Sequence, residues 1–296
     1  MRASIIIPTY NGADKIHHLL RALVSQTNRN FEILVVIDGS TDHTEQVISP
    51  FKDQFEEFKI ISQKNSGRAR VRNTGAREAS NSLLIFYDDD MIPSENSVGA
   101  HVDFHQRSLR SSLICGNAIE IEEKGNTDIQ NYKAHISSRW ISKYDAGVNE
   151  LDLSTIFFTA ANSSMPKTVF DDLGGFDERL TDMEDYDLAF RALKRGVNVY
   201  FDKSNLAIHR DLITASGYVN RIRQYRSARL KWFELHQSEI PLEKVGIRLK
   251  RILYAPFSFS FWIRAIDENL LLWIPRTLRY RLYDIIIQSA GVEFPK

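Results

Sequence analysis

The sequence predicts an α/β protein with a doubly wound, mostly parallel sheet flanked by helices, followed by a helical C-terminal region. Within the first ninety residues, four short apolar runs rich in β-branched and aromatic residues alternate with stretches of helical periodicity. The runs are continuous, as expected for strands buried on both faces of a parallel sheet. No GxGxxG follows the first run and no GxxxxGK[ST] occurs, so the sequence lacks both the dinucleotide fingerprint and the P-loop.

The elements of the first ninety residues follow a βαβαβαβ order, which favours right-handed crossovers between parallel strands. Strands are predicted at residues 4–8, 31–37, 58–61 and 82–87. Helices are predicted within residues 14–26, 41–51 and 67–80.

The following section, residues 113–209, is predicted to hold shorter elements. They are a strand within 154–165, a helix within 167–178, a helix over 183–196 that Gly196 ends, and two strands at 197–202 and 206–209. After Gly217 the pattern becomes helical and basic. We therefore predict a catalytic α/β domain over residues 1–210 and a basic, aromatic helical region over residues 211–296.

Composition and charge restrict the function. Lys and Arg together equal Asp and Glu at 38 each, so the chain has no net field for nucleic acid and we expect no nucleic-acid partner. Residues 211–296 carry 14 Lys and Arg against 8 Asp and Glu, which leaves residues 1–210 acidic. We expect a buried structural thiol at Cys115, the single cysteine. With no leader-like start and no apolar run of 18 residues, we expect a cytoplasmic location.

Three consecutive acids, Asp88, Asp89 and Asp90, follow the fourth predicted strand, and ligands of such sheets bind beyond the carboxyl ends of the strands. Crowded carboxylates repel one another, and a buried one is costly. One interpretation is a Mg²⁺ or Mn²⁺ ion shared with a nucleotide diphosphate. The other is a solvated turn. The position after a buried strand favours the metal.

Other polar positions also allow a functional and a structural interpretation. Asp38 is either an acceptor for a base N–H or a turn residue. Arg72 either reaches a ligand or belongs to a basic, exposed helix start. Glu184 and Asp185 either complement a helix dipole, or Asp185 acts as a general base. His209 is either a packed residue or a further metal ligand.

Six segments, taken in order, resemble the family 2 glycosyltransferases with the GT-A fold, and the resemblance covers roughly residues 4–209. The segments are SIIIPTYNGADKIHHLLRALVSQT, ILVVIDGSTDHT, NSGRARVRNTGAREAS, LLIFYDDDMIP, GGFDERL and EDYDLAFRALKRG. Within them, the acids at 88 and 90 match a DxD motif, and Glu184-Asp185 matches a downstream ED.

The resemblance implies an inverting transfer of a sugar from a nucleotide sugar, commonly a UDP sugar, to a hydroxyl of a glycan or lipid-linked acceptor. It implies that Asp185 is the catalytic base, with Glu184 beside it. It also implies a divalent cation, Mn²⁺ or Mg²⁺, held by Asp90, Asp88 and His209. The implied nucleotide-sugar contacts are Pro8, Thr9, Tyr10, Asn11, Asp38, Gly67, Arg72, Asp88 and Asp89.

Two departures from the family pattern leave the base preference open: Ile37 stands where many relatives have an acid, and Val71 replaces the usual alanine. Two other functions compete. A sugar-phosphate nucleotidyltransferase would resemble a glycine-rich GxGxRxxP loop that PTYNGADK lacks. A non-catalytic nucleotide-sugar or glycan-binding module would not need DxD, ED and His209 together.

Residues beyond 210 allow two interpretations. Their aromatic and basic composition suits a peripheral contact with the inner face of a membrane, near a lipid-linked acceptor. Alternatively, they form a helical subdomain that shapes the acceptor site. Acceptor contacts are also suggested at Trp140, Asn162 and Ser163. The oligomeric state is left open.

Overall fold

The computed structural model describes residues 1–108, 110–236 and 255–291. Within these ranges the strands are β1 Ala3–Thr9, β2 Phe31–Asp38, β3 Phe58–Gln63, β4 Leu83–Tyr87, β5 Met91–Pro93, β6 Ser112–Ile119, β7 Val148–Leu151, β8 Asn162–Pro166 and β9 Asn198–His209. The α-helices are α1 Ile16–Val24, α2 Thr44–Ile48, α3 Arg68–Glu78, α4 Ser97–Arg107, α5 Asp128–Ile141, α6 Lys167–Asp172, α7 Glu184–Lys194, α8 Ala215–Leu235, α9 Ser260–Asp267 and α10 Arg276–Gly291. Two 3₁₀ helices span Ser49–Gln54 and Ala255–Phe257.

The described strands form one sheet in the order β3-β2-β1-β4-β8-β6-β9-β5, with β7 also paired to β9. The first four strands are parallel to one another, so their carboxyl ends lie at the same edge. Strand β8 runs antiparallel between β4 and β6. The predicted α/β class, with its mostly parallel sheet and helical C-terminal region, is confirmed.

The first strands are buried on both faces because helices cover each side. Ile6 packs with α3 and α7 residues on one face, in a cluster that includes Ala69 and Leu188. Its neighbours Ile5 and Ile7 point to the other face and pack with α1 and α4 residues. This alternation within a continuous apolar run is the arrangement that the sequence predicted.

Three local predictions are wrong in extent. The strand predicted within 154–165 is limited to its last residues in β8, and turns precede it. The strands predicted at 197–202 and 206–209 are one strand, β9, whose pairing with β6 shifts register at Gly116 and Asn117. Polar residues 203–205 lie in β9 where its pairing with β6 skips them. The N–H of Lys203 donates to the carbonyl of Gly147 at 3.0 Å, and the side-chain amides of Asn117 and Asn162 donate to the carbonyls of residues 203 and 205. Residue periodicity alone does not reveal these contacts.

The described chain divides into two compact units. The first comprises Met1–Glu120 and Arg139–Arg210, and the second comprises Ile121–Ser138 and Asp211–Lys296. The second unit has its own apolar core, which includes Tyr132, Ile263 and Tyr283. It therefore includes residues 121–138, which sequence reasoning placed in the first domain. The predicted helical region also extends over residues 237–254 and 292–296, which lie outside the described residues.

Candidate active site

Most of the predicted site residues lie at the carboxyl-terminal edge of the parallel strands. The residues at 88–90, here called the acidic turn, leave β4 and lead directly into β5. Strand β5 pairs with the end of β9 so that Met91 lies opposite His209. This pairing places His209 beside the acidic turn, although the two are more than a hundred residues apart in sequence.

Each carboxylate of the acidic turn faces a different nitrogen group. Asp88 Oδ1 lies 2.6 Å from an Arg72 guanidinium nitrogen. Asp89 Oδ1 lies 2.7 Å from Lys15 Nζ. Asp90 Oδ2 lies 3.5 Å from His209 Nε2. Arg72 and Lys15 offset the charges of Asp88 and Asp89, and His209 offsets that of Asp90 when its imidazole is protonated. Separate partners therefore explain how three consecutive acids coexist at the end of a buried strand.

Asp89 is the most deeply buried member of the acidic turn, with 5% of its surface exposed. Its Oδ2 accepts a 2.6 Å hydrogen bond from Thr9 Oγ1 at the end of β1. Burial raises the pKa of Asp89 to about 6, and the charge of Lys15 opposes that rise. The sequence did not single out Lys15, because one lysine before a helix matches no motif.

The environment of Asp90 combines a carboxylate with an imidazole. Burial alone would raise the pKa of Asp90, but the hydrogen bond and charge of His209, together with the charge of Lys15 and a backbone hydrogen bond, outweigh burial and lower the pKa. His209 Nδ1 lies 3.2 Å from Glu120 Oε1. Glu120 directly follows β6, and it was not predicted from the sequence as a site residue. Among the described residues, the buried Asp90 Oδ1 has no hydrogen-bond partner.

These donors fit a divalent cation only in part. No group of three or more His, Cys, Asp or Glu side chains in the described part of the chain is arranged to hold a metal ion. Asp88, one of the predicted ligands, is engaged by Arg72 instead. Asp90 and His209 nevertheless offer an unpartnered carboxylate oxygen and an imidazole. Mg²⁺-type sites commonly use one or two carboxylates and take further oxygens from substrate phosphates.

The second acidic pair opens α7. Met183 precedes it with a left-handed φ of 65°, an unusual conformation for a residue with a side chain, and this turn places Glu184 and Asp185 in the first turn of the helix. Glu184 Oε1 lies 2.6 Å from Arg72, so one buried guanidinium joins both acidic sites. Strained backbone of this kind concentrates at functional sites.

Asp185 differs from its neighbours because it makes no ion pair within the described residues. Its Oδ1 accepts a 2.7 Å hydrogen bond from the backbone N–H of Tyr186, and its Oδ2 lies 3.4 Å from the N–H of Ala160. Burial, and then the negative charge of Glu184, raise the pKa of Asp185 to about 7. A carboxylate with such a pKa can accept a proton near neutral pH.

The remaining residues that were predicted to contact a nucleotide lie where the neighbouring strands end. Asp38 anchors the loop after β3, because its oxygens accept hydrogen bonds from the backbone N–H groups of Ser66 and Gly67 at 2.9 and 3.0 Å. Gly67 has a φ of 91°. Asn11 Oδ1 accepts from the N–H of Thr41 at 2.8 Å and so links the β1 and β2 exits.

Two further predicted contacts, Pro8 and Tyr10, flank Thr9 at the end of β1. Pro8 is half-buried within the strand, whereas Tyr10 exposes 51% of its surface beyond it. Nothing in these contacts tests the nucleotide roles expected of Pro8, Thr9, Tyr10, Asn11, Asp38 or Gly67, which stay predictions.

Two of the three suggested acceptor contacts occupy interior positions. Asn162 is fully buried and bonds with His101 and with the carbonyl of Asn205. Ser163 is also fully buried. Trp140 packs against Phe157, with ring centroids 4.2 Å apart. Asn162 and Ser163 are therefore closed off from an accessible surface, whereas Trp140 is half-buried and its acceptor role stays a prediction. Cys115 is buried as predicted, and burial raises the pKa of its thiol to about 12.

The fold is that of an α/β protein with a polar, acidic site at the carboxyl ends of its parallel strands, and comparison with known proteins identifies the family. The family model described as glycosyl transferase family 2 matches residues 4–174. The chain belongs to glycosyl transferase family 2. The predicted family is therefore confirmed.

Two relatives illustrate the range of the family. The uncharacterized glycosyltransferase YfnE of Bacillus subtilis is 25% identical over 268 residues, covering 75% of this chain and 68% of its own. The O-antigen chain rhamnosyltransferase RfbN of Salmonella typhimurium is 25% identical over 202 residues, covering 68% of this chain and 64% of its own. The match with RfbN thus spans less than two thirds of that relative.

Two solved structures share the fold at low identity. A mannosyltransferase of Pyrobaculum calidifontis, PcManGT, in complex with GDP-Man and Mn²⁺, superposes with a TM-score of 0.65 at 16% identity and covers 98% of this chain and 86% of that one. TarS 1–349 of S. aureus, in complex with UDP, has a TM-score of 0.56 at 18% identity, with 98% and 89% coverage. These likenesses support the GT-A fold.

Proposed function

We propose that this glycosyltransferase inverts the anomeric configuration as it moves a sugar from a nucleotide diphosphate sugar, a UDP sugar in the first instance, to a hydroxyl of a glycan or lipid-linked acceptor. The observation that carries the proposal is the contrast between the two acidic sites. The acids of the acidic turn are matched with nitrogen groups, whereas Asp185 makes no ion pair within the described chain and has a raised pKa.

In the proposed mechanism, Asp185 takes the proton of the acceptor hydroxyl as that oxygen attacks the anomeric carbon. Its pKa of about 7 keeps a substantial ionised fraction at neutral pH and still favours proton uptake. A single displacement inverts the anomeric centre, so one carboxylate base suffices. Glu184 offers its buried Oε2, which has no partner among the described residues, to a hydroxyl of the donor or acceptor.

A divalent cation, Mn²⁺ or Mg²⁺, would be held by Asp90 and His209, with Asp88 assisting if it exchanges its contact with Arg72. Bound there, the cation would offset the charge that develops on the leaving diphosphate. PcManGT, the structural relative that binds GDP-Man and Mn²⁺, supports a metal of this class. The side chains expected at the nucleotide are those of the β1, β2 and β3 exits, together with Arg72, Asp88 and Asp89.

The donor is tested by measuring nucleotide release from UDP-glucose, UDP-N-acetylglucosamine and GDP-mannose in the presence of Mn²⁺ and of EDTA. We expect release from at least one UDP sugar that depends on the metal, and protection of the protein from thermal unfolding by UDP. Release from a GDP sugar alone would correct the base. If a nucleotide stabilises the protein but no donor turns over, the non-catalytic alternative gains support, and if no nucleotide stabilises it either, the proposed function is contradicted.

We also propose that the second unit contacts a membrane surface near the acceptor. Leu212 and Trp273 expose 84% and 81% of their surface, and Phe259 and Phe261 expose more than 60%. The basic excess of residues 211–296 suits anionic lipid. No helix in the described residues is long and apolar enough to cross a bilayer. If vesicles of phosphatidylcholine and phosphatidylglycerol do not co-sediment the protein, a role in shaping the acceptor site is favoured.

A further inference from the structure

We propose that Lys15 is a positioning residue for donor binding: it holds Asp89, and through Asp89 the whole acidic turn, in the arrangement that receives a nucleoside diphosphate. The inference rests on the proposed function and assigns a task to a residue to which the family resemblance gave no role. Lys15 immediately precedes α1 and is 38% exposed at its side chain, so it lies at the border between the protein interior and the site.

Both oxygens of Asp89 are already engaged by the protein. Lys15 Nζ lies 2.7 Å from Oδ1, and Thr9 Oγ1 donates to Oδ2 over 2.6 Å. Asp89 therefore ties the end of β4 to the end of β1 and to the start of α1. These contacts favour a structural link over metal ligation for the middle acid.

Gly12 shows how tightly this contact is packed. A Cβ atom added at Gly12 would lie 2.2 Å from Thr9 Oγ1 and 2.6 Å from Asp89 Oδ2. Real Cβ atoms do not approach polar atoms so closely, so any larger residue would displace the Thr9–Asp89 hydrogen bond. The loop between β1 and α1 thus approaches the acidic turn as closely as its backbone allows.

The charge of Lys15 acts on two carboxylates of the acidic turn. It offsets Asp89, whose carboxylate would otherwise be buried with only the Thr9 hydroxyl as partner, and an unpaired buried charge is strongly unfavourable. Lys15 Nζ also lies 3.9 Å from Asp90 Oδ2. Without Lys15, the acidic turn would either move towards water or become more repulsive to a diphosphate. Both outcomes weaken donor binding and leave the proton transfer by Asp185 intact.

The experiment compares Lys15→Met, Lys15→Arg and the control Lys52→Met, an exposed lysine of the 3₁₀ helix after α2. We titrate UDP and GDP in the presence of Mn²⁺ and measure KM and kcat with the donor that is turned over. For Lys15→Met we expect the nucleotide Kd and the donor KM to rise about tenfold or more, since charged hydrogen bonds contribute to this extent. We expect kcat to change little, Lys15→Arg to recover most of the affinity, and Lys52→Met to match the wild type.

A double-mutant cycle shows whether Lys15 acts through Asp89. If it does, Lys15→Met will weaken UDP binding much less in an Asp89→Asn background than in the wild type. Additive losses, or an unchanged Kd in Lys15→Met, would overturn the inference while leaving the proposed function in place. Failure of the wild type to bind either nucleotide would instead contradict the proposed function itself. Thermal unfolding of each variant identifies any loss of affinity that results from misfolding.

Discussion

The two acidic sites of the first unit are both built from carboxylate side chains, but they differ in whether every carboxylate has a partner that can offset its charge. In the acidic turn at residues 88–90, each carboxylate lies near a different side chain that carries nitrogen: Arg72 for Asp88, Lys15 for Asp89 and His209 for Asp90. At the start of α7, Glu184 shares Arg72 with Asp88, and Asp185 makes no ion pair within the described chain. Carboxylates that lie near cationic partners are suited to holding a ligand, whereas a half-buried carboxylate without an ion pair is suited to exchanging a proton.

Arg72 pairs with a carboxylate of each acidic site, and we expect its substitution to have the largest effect on stability and activity. Arg72→Met would leave the buried Glu184 without its cation and Asp88 without its partner. We expect a loss of about 3–5 kcal/mol in the free energy of unfolding, typical of a broken buried ion pair, together with loss of transfer. Urea denaturation measures the first effect and donor turnover the second.

The matched control is Arg70→Met, on the same helix, because Arg70 has a side chain that is 57% exposed and pairs with Glu178 at 2.8 Å. Exposed pairs contribute little, so we expect a change below about 1 kcal/mol. Equal destabilisation by the two variants would show that the buried ion pairs of Arg72 contribute no more to the free energy of unfolding than the exposed pair of Arg70.

The comparison also predicts a pH dependence. Because the folded-state pKa of Asp185 is raised to about 7, the base is increasingly protonated below that pH. In the acidic limb, kcat/KM should therefore fall towards about tenfold per pH unit. Steady-state rates between pH 5.5 and 8.5, with thermal unfolding measured at each pH, provide the test. A flat profile over this range, or one that rises towards acid, would argue against Asp185 as the base.

Sequence reasoning located much of this site because parallel strands end at one edge. The strands before Asp38 and the acidic turn were recognised from their continuous apolar runs, and the helix after Glu184 from its periodicity. The pairing of β5 with β9, which brings His209 to Asp90, depends on long-range contacts that local pattern does not encode. The same limit explains why Lys15 and Glu120 were missed: each becomes informative only when a distant partner is known.

The second unit depends even more on long-range contacts that local sequence patterns do not predict. Its helical and basic character was predictable from composition, but the inclusion of residues 121–138 was not. Arg279 pairs with Asp128 at 2.7 Å, and Tyr132 donates to Asp284 at 2.5 Å, so side chains of α5 join those of α10. Local sequence patterns do not predict contacts between residues that are about 150 positions apart.

In the proposed mechanism, the acidic turn binds the donor and Asp185 moves the proton. This division of roles is tested by measuring Mn²⁺-dependent UDP binding and sugar transfer for Asp185→Asn and Asp90→Asn. We predict that Asp185→Asn binds UDP as the wild type does but transfers about a hundredfold or more slowly, the scale of a lost general base. We predict that Asp90→Asn loses metal-dependent UDP affinity. Wild-type transfer by Asp185→Asn, or equal loss of UDP binding in both variants, would contradict the division of roles.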